Sequence, residues 1–283
     1  MALYYSGIIC ELREVQLKNK PQAMLDVSSK GTVPVLVMDD STVIAESLDI
    51  MAWALDQNDP DNWGKHHLTS SLIERAHEYF VDYLNRYKYF DRFPEHSQDY
   101  YLEKAMVYIY ELEDILTSNE SDEYGQRYLA GPSLSVLDIA LMPFIRQFAF
   151  VDKVRFDDMS IPNLQHWLKH QLESNLFNSV MLKYSPWKPE DQVILFGLEN
   201  KIVHDTQIKE FYIEFEDQQK ASVKYEMLQD SHINFYSTFT PVNQRGKNVA
   251  SSLVAKALQW ARENDFKLSA SCWYVAKKAV ISS

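Results

Sequence analysis

Three hydrophobic patterns follow one another along the chain. Residues 1 to about 60 contain short apolar runs separated by turn residues, and residues 69 to 168 contain apolar side chains at helical spacing. Residues 203 to 240 contain short runs with partial alternation, which is typical of strands. A last helical stripe begins near Lys247 or Asn248. The pattern predicts an α/β segment, an all-helical segment and a small α+β segment, in that order.

Turn and cap residues divide the first two segments into elements. Gly7 is typical of a helix C-cap, Ser135 and Asp138 have the spacing of a capping box, and Pro162 is typical of a first helical position. The predicted elements are a helix over 1–6, a strand over 8–17, a short helix after the polar turn 18–22, strands over 35–38 and 42–45, and helices over 48–57, 69–90 and 100–116 and from Ser135 and Ile161.

The pattern of the last segment predicts a β-meander followed by a helix. Polar clusters over 216–220 and 229–231 predict hairpin turns. The predicted strands are 203–205, 207–214, 221–228 and 232–240, with a final strand over 267–275 after the helix.

Composition excludes several classes of protein. The 283 residues carry a formal net charge of −12, which argues against nucleic acid as the main partner. No apolar run reaches the length of a bilayer span, and the N-terminus has no signal-peptide pattern, so we expect no membrane partner. Cys10 and Cys272 lie far apart without metal-type spacing, which predicts no metal site and a reducing, cytoplasmic location.

The loop from Val242 to Lys247 carries the clearest chemistry. It is basic, contains Gly246, and leads directly into the last helix. The first backbone N–H groups of a helix lack intrahelical acceptors and lie at the positive end of the helix dipole, so this loop is a candidate seat for a phosphate group. The alternative is a solvated basic turn before an ordinary surface helix.

Two stretches carry a resemblance to a known family. Gly31 to Leu55, GTVPVLVMDDSTVIAESLDIMAWAL, resembles the N-terminal thioredoxin-like domain of the glutathione transferases. The stretch YLAGPSLSVLDIALMPFI from Tyr128 resembles their all-helical second domain. The resemblance implies domains over 1–60 and 61–188, glutathione as a possible co-substrate, and a homodimer. It further implies a glutathione site made of Val33 and Pro34, joined by a cis bond, with Glu46 and Ser47 holding the γ-glutamyl carboxylate.

The start of the chain departs from this family. Met1 to Gly7 align with the end of the family's first helix, so the family's first strand and its thiol-activating residue have no counterpart. Two interpretations stay open, a start upstream of Met1 or a domain that no longer activates glutathione. The first predicts a glutathione-dependent transferase or reductase, and the second a non-catalytic dimerising scaffold.

Four motifs near the C-terminus stand out: Ala221 to Tyr225, Tyr236 to Val242, Arg245 to Ala250, and Cys272 to Val275. In this order they resemble a small single-domain branch of a second family, the GNAT superfamily of acyl-CoA-dependent N-acetyltransferases. The resemblance implies an acetyltransferase domain over 197–283 that uses acetyl-CoA. The predicted fold class is therefore multidomain: a truncated thioredoxin-like domain, an all-helical domain and a small α+β GNAT-like domain.

The second resemblance also implies residue roles. Val242 would meet the pantetheine, Tyr274 would protonate the leaving thiolate, and Cys272 would be an acyl acceptor or merely line the site. Asn248 stands where the family has its second glycine, and its side chain either crowds the pyrophosphate or caps the helix. The residues that would bind the pyrophosphate are Gln244, Arg245, Gly246, Lys247, Val249 and Ala250. We therefore expect a transferase that joins a glutathione transferase-like unit to an N-acetyltransferase-like domain and acts on small molecules.

Overall fold

The computed structural model describes residues 1–28, 30–215, 217–228 and 231–281. The chain divides into two compact units. Unit 1 consists of Met1–Ser6 and Asp26–Lys183, and unit 2 consists of Gly7–Leu25 and Tyr184–Ser283. Residues 7–25 thus group with the C-terminal part of the chain, whereas the resemblance placed them in a domain over 1–60. The three domain boundaries stay a prediction. The predicted hairpin turns include residues 216, 229 and 230, which lie outside the described residues.

Unit 1 is mainly helical. A short antiparallel hairpin pairs Leu36 with Ile44 and Val37 with Val43. The predicted helix over 69–90 is split by a π-helical turn at Ala76–Phe80. The elements are α1 (Ala2–Tyr5), β2 (Leu36–Val37), β3 (Val43–Ile44), α3 (Ser47–Gln57), α4 (Ser71–Arg75), α5 (Val81–Lys88), α6 (Gln98–Ser118), α7 (Val136–Ala149), α8 (Lys153–Asp157), α9 (Pro162–Glu173) and α10 (Asn175–Val180); α2 (Gln22–Val27) spans the boundary between the units.

A buried carboxylate organises the core of unit 1. Ser135 and Asp138 form the predicted capping box of α7. Asp138 Oδ1 also accepts hydrogen bonds from the Leu129 N–H at 2.8 Å and from Trp167 Nε1 at 2.9 Å. Asp138 and Trp167 are fully buried. Because the carboxylate has donors on both oxygens, it joins α7, α9 and the preceding loop without leaving an unpaired buried oxygen.

Unit 2 contains a five-stranded mixed sheet covered by a long helix. The sheet order is β5-β6-β7-β8-β9, antiparallel except for the parallel pair β8–β9. Helix α11 buries its stripe of Val249, Leu253, Val254, Ala257, Leu258 and Ala261 against this sheet. The elements are β1 (Cys10–Glu11), β4 (Leu195–Phe196), β5 (Val203–Asp205), β6 (Glu210–Glu214), β7 (Lys220–Met227), β8 (His232–Phe239), α11 (Val249–Glu263), β9 (Lys267–Ala270) and α12 (Trp273–Ile281).

Two predicted strands are much longer than the strands observed, and the strand predicted over 207–214 begins only at Glu210, after a turn over 206–209. The strand predicted over 8–17 is reduced to β1, which pairs with β4, and the Leu12 N–H next to it donates to Ile194 O. Beyond this pairing, Arg13 lies 4.5 Å over the Trp187 ring, and the Trp187 N–H donates to Glu14 O. The strand predicted over 267–275 ends at Ala270, and α12 begins at Trp273.

The physical reason for the second error is the spacing of apolar residues. Cys272, Val275 and Ala279 recur at helical intervals and pack against the core of unit 2. The Ala276 N–H donates to Cys272 O at 3.0 Å, as in a helical turn. The motif from Cys272 to Val275 is therefore the start of a helix. Among the described residues, no helix is long and apolar enough to cross a membrane.

Candidate functional site

The two parallel strands of unit 2 separate before β8 ends. Strands β8 and β9 pair from His232 with Lys267 to Phe235 with Ala270. The Cys272 N–H then donates to Phe235 O at 3.1 Å. Beyond this point β8 stays paired with β7 but no longer with β9, and the segment after β9 turns into α12. The gap between residues 236–239 and residues 271–274 forms a wedge. A wedge between strands exposes backbone groups that a continuous sheet would pair.

A β-bulge shapes the β8 side of the wedge. Lys224 pairs with Ser237, but the next residue, Tyr225, pairs with Phe235, so Tyr236 is an extra residue on β8. Beyond the bulge Thr238 pairs with the buried Val223. Because opposed residues point to the same face, Thr238 lies on the α11 side of the sheet. The bulge thus turns Thr238 toward the start of α12.

Cys272 faces Thr238 across the wedge. Its Sγ lies 3.4 Å from Thr238 Oγ1. Burial by itself raises the pKa of the Cys272 thiol, but hydrogen bonds from Thr238 and from the backbone N–H groups of Val275 and Tyr274 outweigh it and hold that pKa below its usual value. This arrangement favours the thiolate. Tyr274, on the first turn of α12, is half-buried against the same core.

The basic loop that precedes α11 follows β8 directly. Val242–Gln244 form one 3-10 turn, and Gly246 and Asn248 both have left-handed backbone, with φ of 79° and 61°. Asn248 occupies the N-cap position of α11, but its side chain makes no capping hydrogen bond. The helix begins at Val249, one residue from the predicted start. Of the two alternatives for the Asn248 side chain, capping of the helix is not found. Asn248 instead adopts the backbone conformation that a glycine would take.

Donors in this loop are available to an anion. The Ser252 N–H bonds to Asn248 O, while within the described part of the chain the N–H groups of residues 249–251 have no backbone acceptor. A Cβ at Gly246 would meet nothing within 4 Å, so the loop is open on that side. Arg245 Nε donates to Thr240 O at 3.2 Å. These features fit a diphosphate, which needs backbone donors and positive charge.

The other predicted residues of the loop differ in how far their side chains are exposed. Lys247 Nζ donates to Gln244 Oε1 at 3.4 Å, so these two side chains lie together. Val242 is 76% exposed. The Val249 side chain is buried in the core, so this residue could contact an anion only through its backbone N–H, and Ala250 is half-buried. The loop therefore brings the predicted residues to one end of α11.

The predicted glutathione residues lie in unit 1. The Val33–Pro34 bond is cis, as the resemblance implied. Val33, Pro34, Glu46 and Ser47 are all exposed. Glu46 precedes α3 and accepts from Lys30 Nζ at 2.5 Å; this hydrogen bond and the lysine charge lower the pKa of the Glu46 carboxyl. Its carboxylate already has a cationic partner.

Family models match both ends of the chain. Residues 210–280 match the model described as GCN5-related N-acetyl-transferase, and residues 1–63 match that of the glutathione S-transferase N-terminal domain. The chain resembles two families. Among curated proteins, it is similar to Protein NATD1 from Danio rerio, with 28% identity over 78 residues, which cover 27% of this chain and 71% of the relative. Protein NATD1 from Bos taurus is 27% identical over 94 residues, covering 33% and 79%.

Solved structures of glutathione S-transferases are similar to part of the chain. A glutathione S-transferase from Rhodospirillum rubrum F11 has a TM-score of 0.48 and 17% identity, covering 66% of this chain and 88% of that one. The ternary complex of BphK, a bacterial glutathione S-transferase, has a TM-score of 0.49 and 22% identity, covering 63% and 88%. The predicted fold class is confirmed by the two family models and the C-terminal mixed sheet.

Two residues of the wedge were not predicted as separate site residues. Thr238 contacts Cys272, and Tyr236 is the bulge residue. A signal for the bulge is present in the sequence, since the adjacent aromatic residues Phe235 and Tyr236 break the alternation of apolar and polar residue types along β8. The contact between Thr238 and Cys272 spans 34 residues and has no local signal.

Proposed function

We propose that unit 2 transfers an acetyl group from acetyl-CoA to an amine. The observation that carries the proposal is the juxtaposition of two features along β8, a wedge that opens at Phe235 and an anion seat that follows at Gln244 to Ala250. In acetyl-CoA an extended arm joins the diphosphate to the thioester. An anion seat and a wedge along the same strand could therefore bind the diphosphate and the thioester of one molecule. The match of residues 210–280 to the N-acetyltransferase model supports the same activity.

Each part of the site would have its own role. Backbone N–H groups from Gly246 to Ala250, with the charges of Arg245 and Lys247 and the amide of Gln244, would hold the diphosphate. Val242 would contact the arm as it enters the wedge. Asn248 would keep the loop in the left-handed conformation that aims these donors outward.

The transfer requires a bond exchange at the acetyl carbon. Bound acetyl-CoA would supply the acetyl thioester: a C–N bond to the amine forms, the C–S bond breaks, the nitrogen loses a proton and the departing sulfur gains one. Tyr274 would hold the proton for that sulfur at its Oη. Cys272 would either line the wedge or carry the acetyl group as a thioester before the amine takes it.

Calorimetry with CoA tests the proposed site. We expect CoA to bind, and replacement of both Arg245 and Lys247 by Ala to weaken binding about tenfold or more, because two charges are removed from the anion. The matched control, Lys256→Ala together with Arg262→Ala, removes two exposed charges from the body and end of α11 and should leave the affinity unchanged. Absence of CoA binding to the wild-type protein would contradict the proposal.

Mass spectrometry separates the two roles of Cys272. If Cys272 carries the acetyl group, incubation with acetyl-CoA without an amine leaves an acetyl group on the peptide that contains it, and Cys272→Ala abolishes turnover. If Cys272 lines the wedge, no such adduct forms and Cys272→Ala retains turnover. Cys10 in the same protein is the internal control, because burial raises the pKa of its thiol.

A second candidate activity belongs to unit 1. The match of residues 1–63 to the glutathione S-transferase N-terminal domain, with Glu46 and Ser47 exposed at the start of α3, supports glutathione binding and a dimer of this unit. We expect retention of the protein on immobilised glutathione, reduced by Ser47→Ala, with Ser41→Ala in the hairpin turn as control. Retention at the level of an unrelated protein would contradict glutathione binding, and a monomer in light scattering would contradict the dimer.

A further inference from the structure

The hydrogen-bond ladder between β8 and β9 is irregular at the point where the wedge opens. In a parallel pair the bonds are evenly spaced, so every second N–H of one strand donates to every second carbonyl of the other. The Lys267 N–H donates to Ser231 O, and a regular ladder would therefore bring the Ser271 N–H to Phe235 O. The observed donor to Phe235 O is the Cys272 N–H, at 3.1 Å. Ser271 is thus an extra residue on this side of the wedge.

The side chain of Asn234 accepts the N–H that the ladder leaves out. The Ser271 N–H donates to Asn234 Oδ1 at 3.1 Å. Asn234 Nδ2 donates to Glu226 Oε1 on β7 at 2.7 Å and to Ser271 Oγ at 3.0 Å. Because a carboxylate only accepts and a backbone N–H only donates, a single orientation of the amide satisfies both neighbours. Glu226 therefore keeps the oxygen of Asn234 directed at the Ser271 N–H.

This contact decides which N–H reaches Phe235 O. Since Asn234 accepts from Ser271, the carbonyl of Phe235 is left for Cys272. Without the amide, the Ser271 N–H would find its acceptor in Phe235 O, as in a regular ladder. Cys272 would then shift along β8 by one residue, about 3.3 Å. A shift of that size breaks the contact of Cys272 Sγ with Thr238 Oγ1, which lie 3.4 Å apart.

We propose that Asn234 is a positioning residue of the acetyl-transfer site, which holds the Ser271 N–H so that Cys272 faces Thr238 where the wedge opens. This inference rests on the proposed acetyl transfer and adds to it a residue that touches neither substrate. Asn234 acts through the location of Cys272 and of the first turn of α12.

Alkylation of Cys272 by iodoacetamide, followed by peptide mass spectrometry, tests its position. The groups that lower the pKa of this thiol are neutral, namely the Thr238 hydroxyl and the backbone N–H groups of Tyr274 and Val275. The pH profile of alkylation thus reports whether the thiol stays beside them. In the full chain without ligands, we expect Asn234→Ala to raise the midpoint of this profile toward that of an ordinary thiol, about 8.5.

Controls and a rescue separate positioning from a general loss of structure. Cys10 in the same protein should keep its profile, and Asn264→Ala, which removes an exposed amide at the end of α11, should leave the profile of Cys272 unchanged. Asn234→Asp sets two carboxylates against each other and should raise the midpoint as Asn234→Ala does. Adding Glu226→Gln to that variant returns a donor to the pair and should restore the wild-type midpoint.

Hydrogen exchange follows the ladder itself. In Asn234→Ala we expect faster exchange at the Cys272 amide, which loses Phe235 O, while the Ser271 amide stays protected because it gains that acceptor. Faster exchange at Ser271 alone would overturn the inference. So would an alkylation midpoint of Cys272 that Asn234→Ala leaves unchanged, or a double variant with Glu226→Gln that fails to restore it.

Calorimetry with CoA distinguishes failure of this inference from failure of the proposed activity. We expect Asn234→Ala to change the Kd of CoA by less than about twofold, because the donors for the diphosphate come from a separate loop. A loss as large as that of Arg245→Ala with Lys247→Ala would show that Asn234 supports the whole site rather than Cys272, which overturns the inference. If wild-type protein does not bind CoA, the proposed activity fails, while alkylation and exchange still test the placement of Cys272.

Discussion

At the scale of single residues, the conformation of Asn248 decides the shape of the candidate anion seat. Its φ of 61° and ψ of 7° lie in the left-handed region, which an L-residue with a Cβ enters at a cost of about 1–2 kcal/mol. Asparagine tolerates this region better than most residues. We expect Asn248→Gly to keep or slightly raise the free energy of unfolding, and Asn248→Ala to lower it by about 1 kcal/mol in urea denaturation.

The matched control for Asn248 is an exposed position with ordinary helical backbone. Lys256→Ala in α11 should change the free energy of unfolding by less than about 0.5 kcal/mol. Calorimetry of the same variants measures CoA binding, which Asn248→Gly should preserve because it keeps the loop conformation. Equal stability of the Gly and Ala variants would show that the left-handed conformation is absent in solution.

At the scale of elements, Gly197 joins the N-terminal segment of unit 2 to its C-terminal part. Gly197 has φ of 81°, and a Cβ there would overlap the carbonyl oxygen of Ile8. Two residues further along, Cys10 pairs with Phe196. We expect Gly197→Ala to separate β1 from β4, because the backbone of Ile8 must move. Hydrogen exchange should then speed up at the amides of residues 10–12.

Another glycine provides the control for this clash. Gly125 has a similar φ of 79°, but a Cβ there would meet nothing within 4 Å. Gly125→Ala should therefore lower the free energy of unfolding only by the cost of placing Ala in left-handed backbone, about 1–2 kcal/mol. Hydrogen exchange at the amides of residues 10–12 should stay unchanged. If Gly197→Ala lowers stability no more than Gly125→Ala, the contact with Ile8 contributes nothing.

The edge strand β5 is attached through a titratable ring. His204 stacks on Phe211 at 3.8 Å, contacts Trp260 edge-on, and shares a 2.9 Å hydrogen bond between its Nε2 and Tyr225 Oη. Burial lowers the pKa of His204, and the charge of Asp205 opposes that shift. The unfolded chain then binds the proton more readily. The contribution of neutral His204 to stability is complete above the unfolded pKa and is lost as pH falls through the lower folded pKa.

Urea denaturation at about pH 7.5 and about pH 5 measures this effect. We expect the wild-type unit 2 to lose stability at the lower pH, and His204→Phe, which keeps the stack but cannot titrate, to lose less. His166→Phe, at an exposed position of unit 1, should leave the pH dependence of unit 2 unchanged. An unaltered pH dependence in His204→Phe would contradict the assignment.

Local signals in the sequence predict local structure here. The capping box of Ser135 and Asp138 and the apolar stripe of α11 are short-range patterns, and the structure contains both. The contacts that complete the site are long-range. Trp167 reaches Asp138 across 29 residues, and Thr238 reaches Cys272 across 34. The apolar run at Cys272–Val275 is so short that its pattern fits a strand as well as a helix. Packing against the core of unit 2 stabilises the helix.

At the scale of the whole molecule, the two units have separate hydrophobic cores. Leu112 lies fully buried in the helical core of unit 1, and Leu253 lies fully buried between α11 and the sheet of unit 2. Truncation of a buried leucine to Ala costs about 2–5 kcal/mol. We expect scanning calorimetry to resolve two transitions, with Leu112→Ala lowering the midpoint of one and Leu253→Ala lowering that of the other.

Ligand linkage assigns these transitions independently of the mutations. A ligand that binds only the folded form of one unit stabilises that unit by about 2.7 kcal/mol at a concentration of 100 Kd. CoA should therefore raise the midpoint temperature only of the transition whose midpoint Leu253→Ala lowers. In the double variant Arg245→Ala with Lys247→Ala, most of that increase should be lost. If CoA instead raises the transition sensitive to Leu112→Ala, its site lies in unit 1. If either leucine variant lowers both transitions equally, the two cores unfold as one cooperative system.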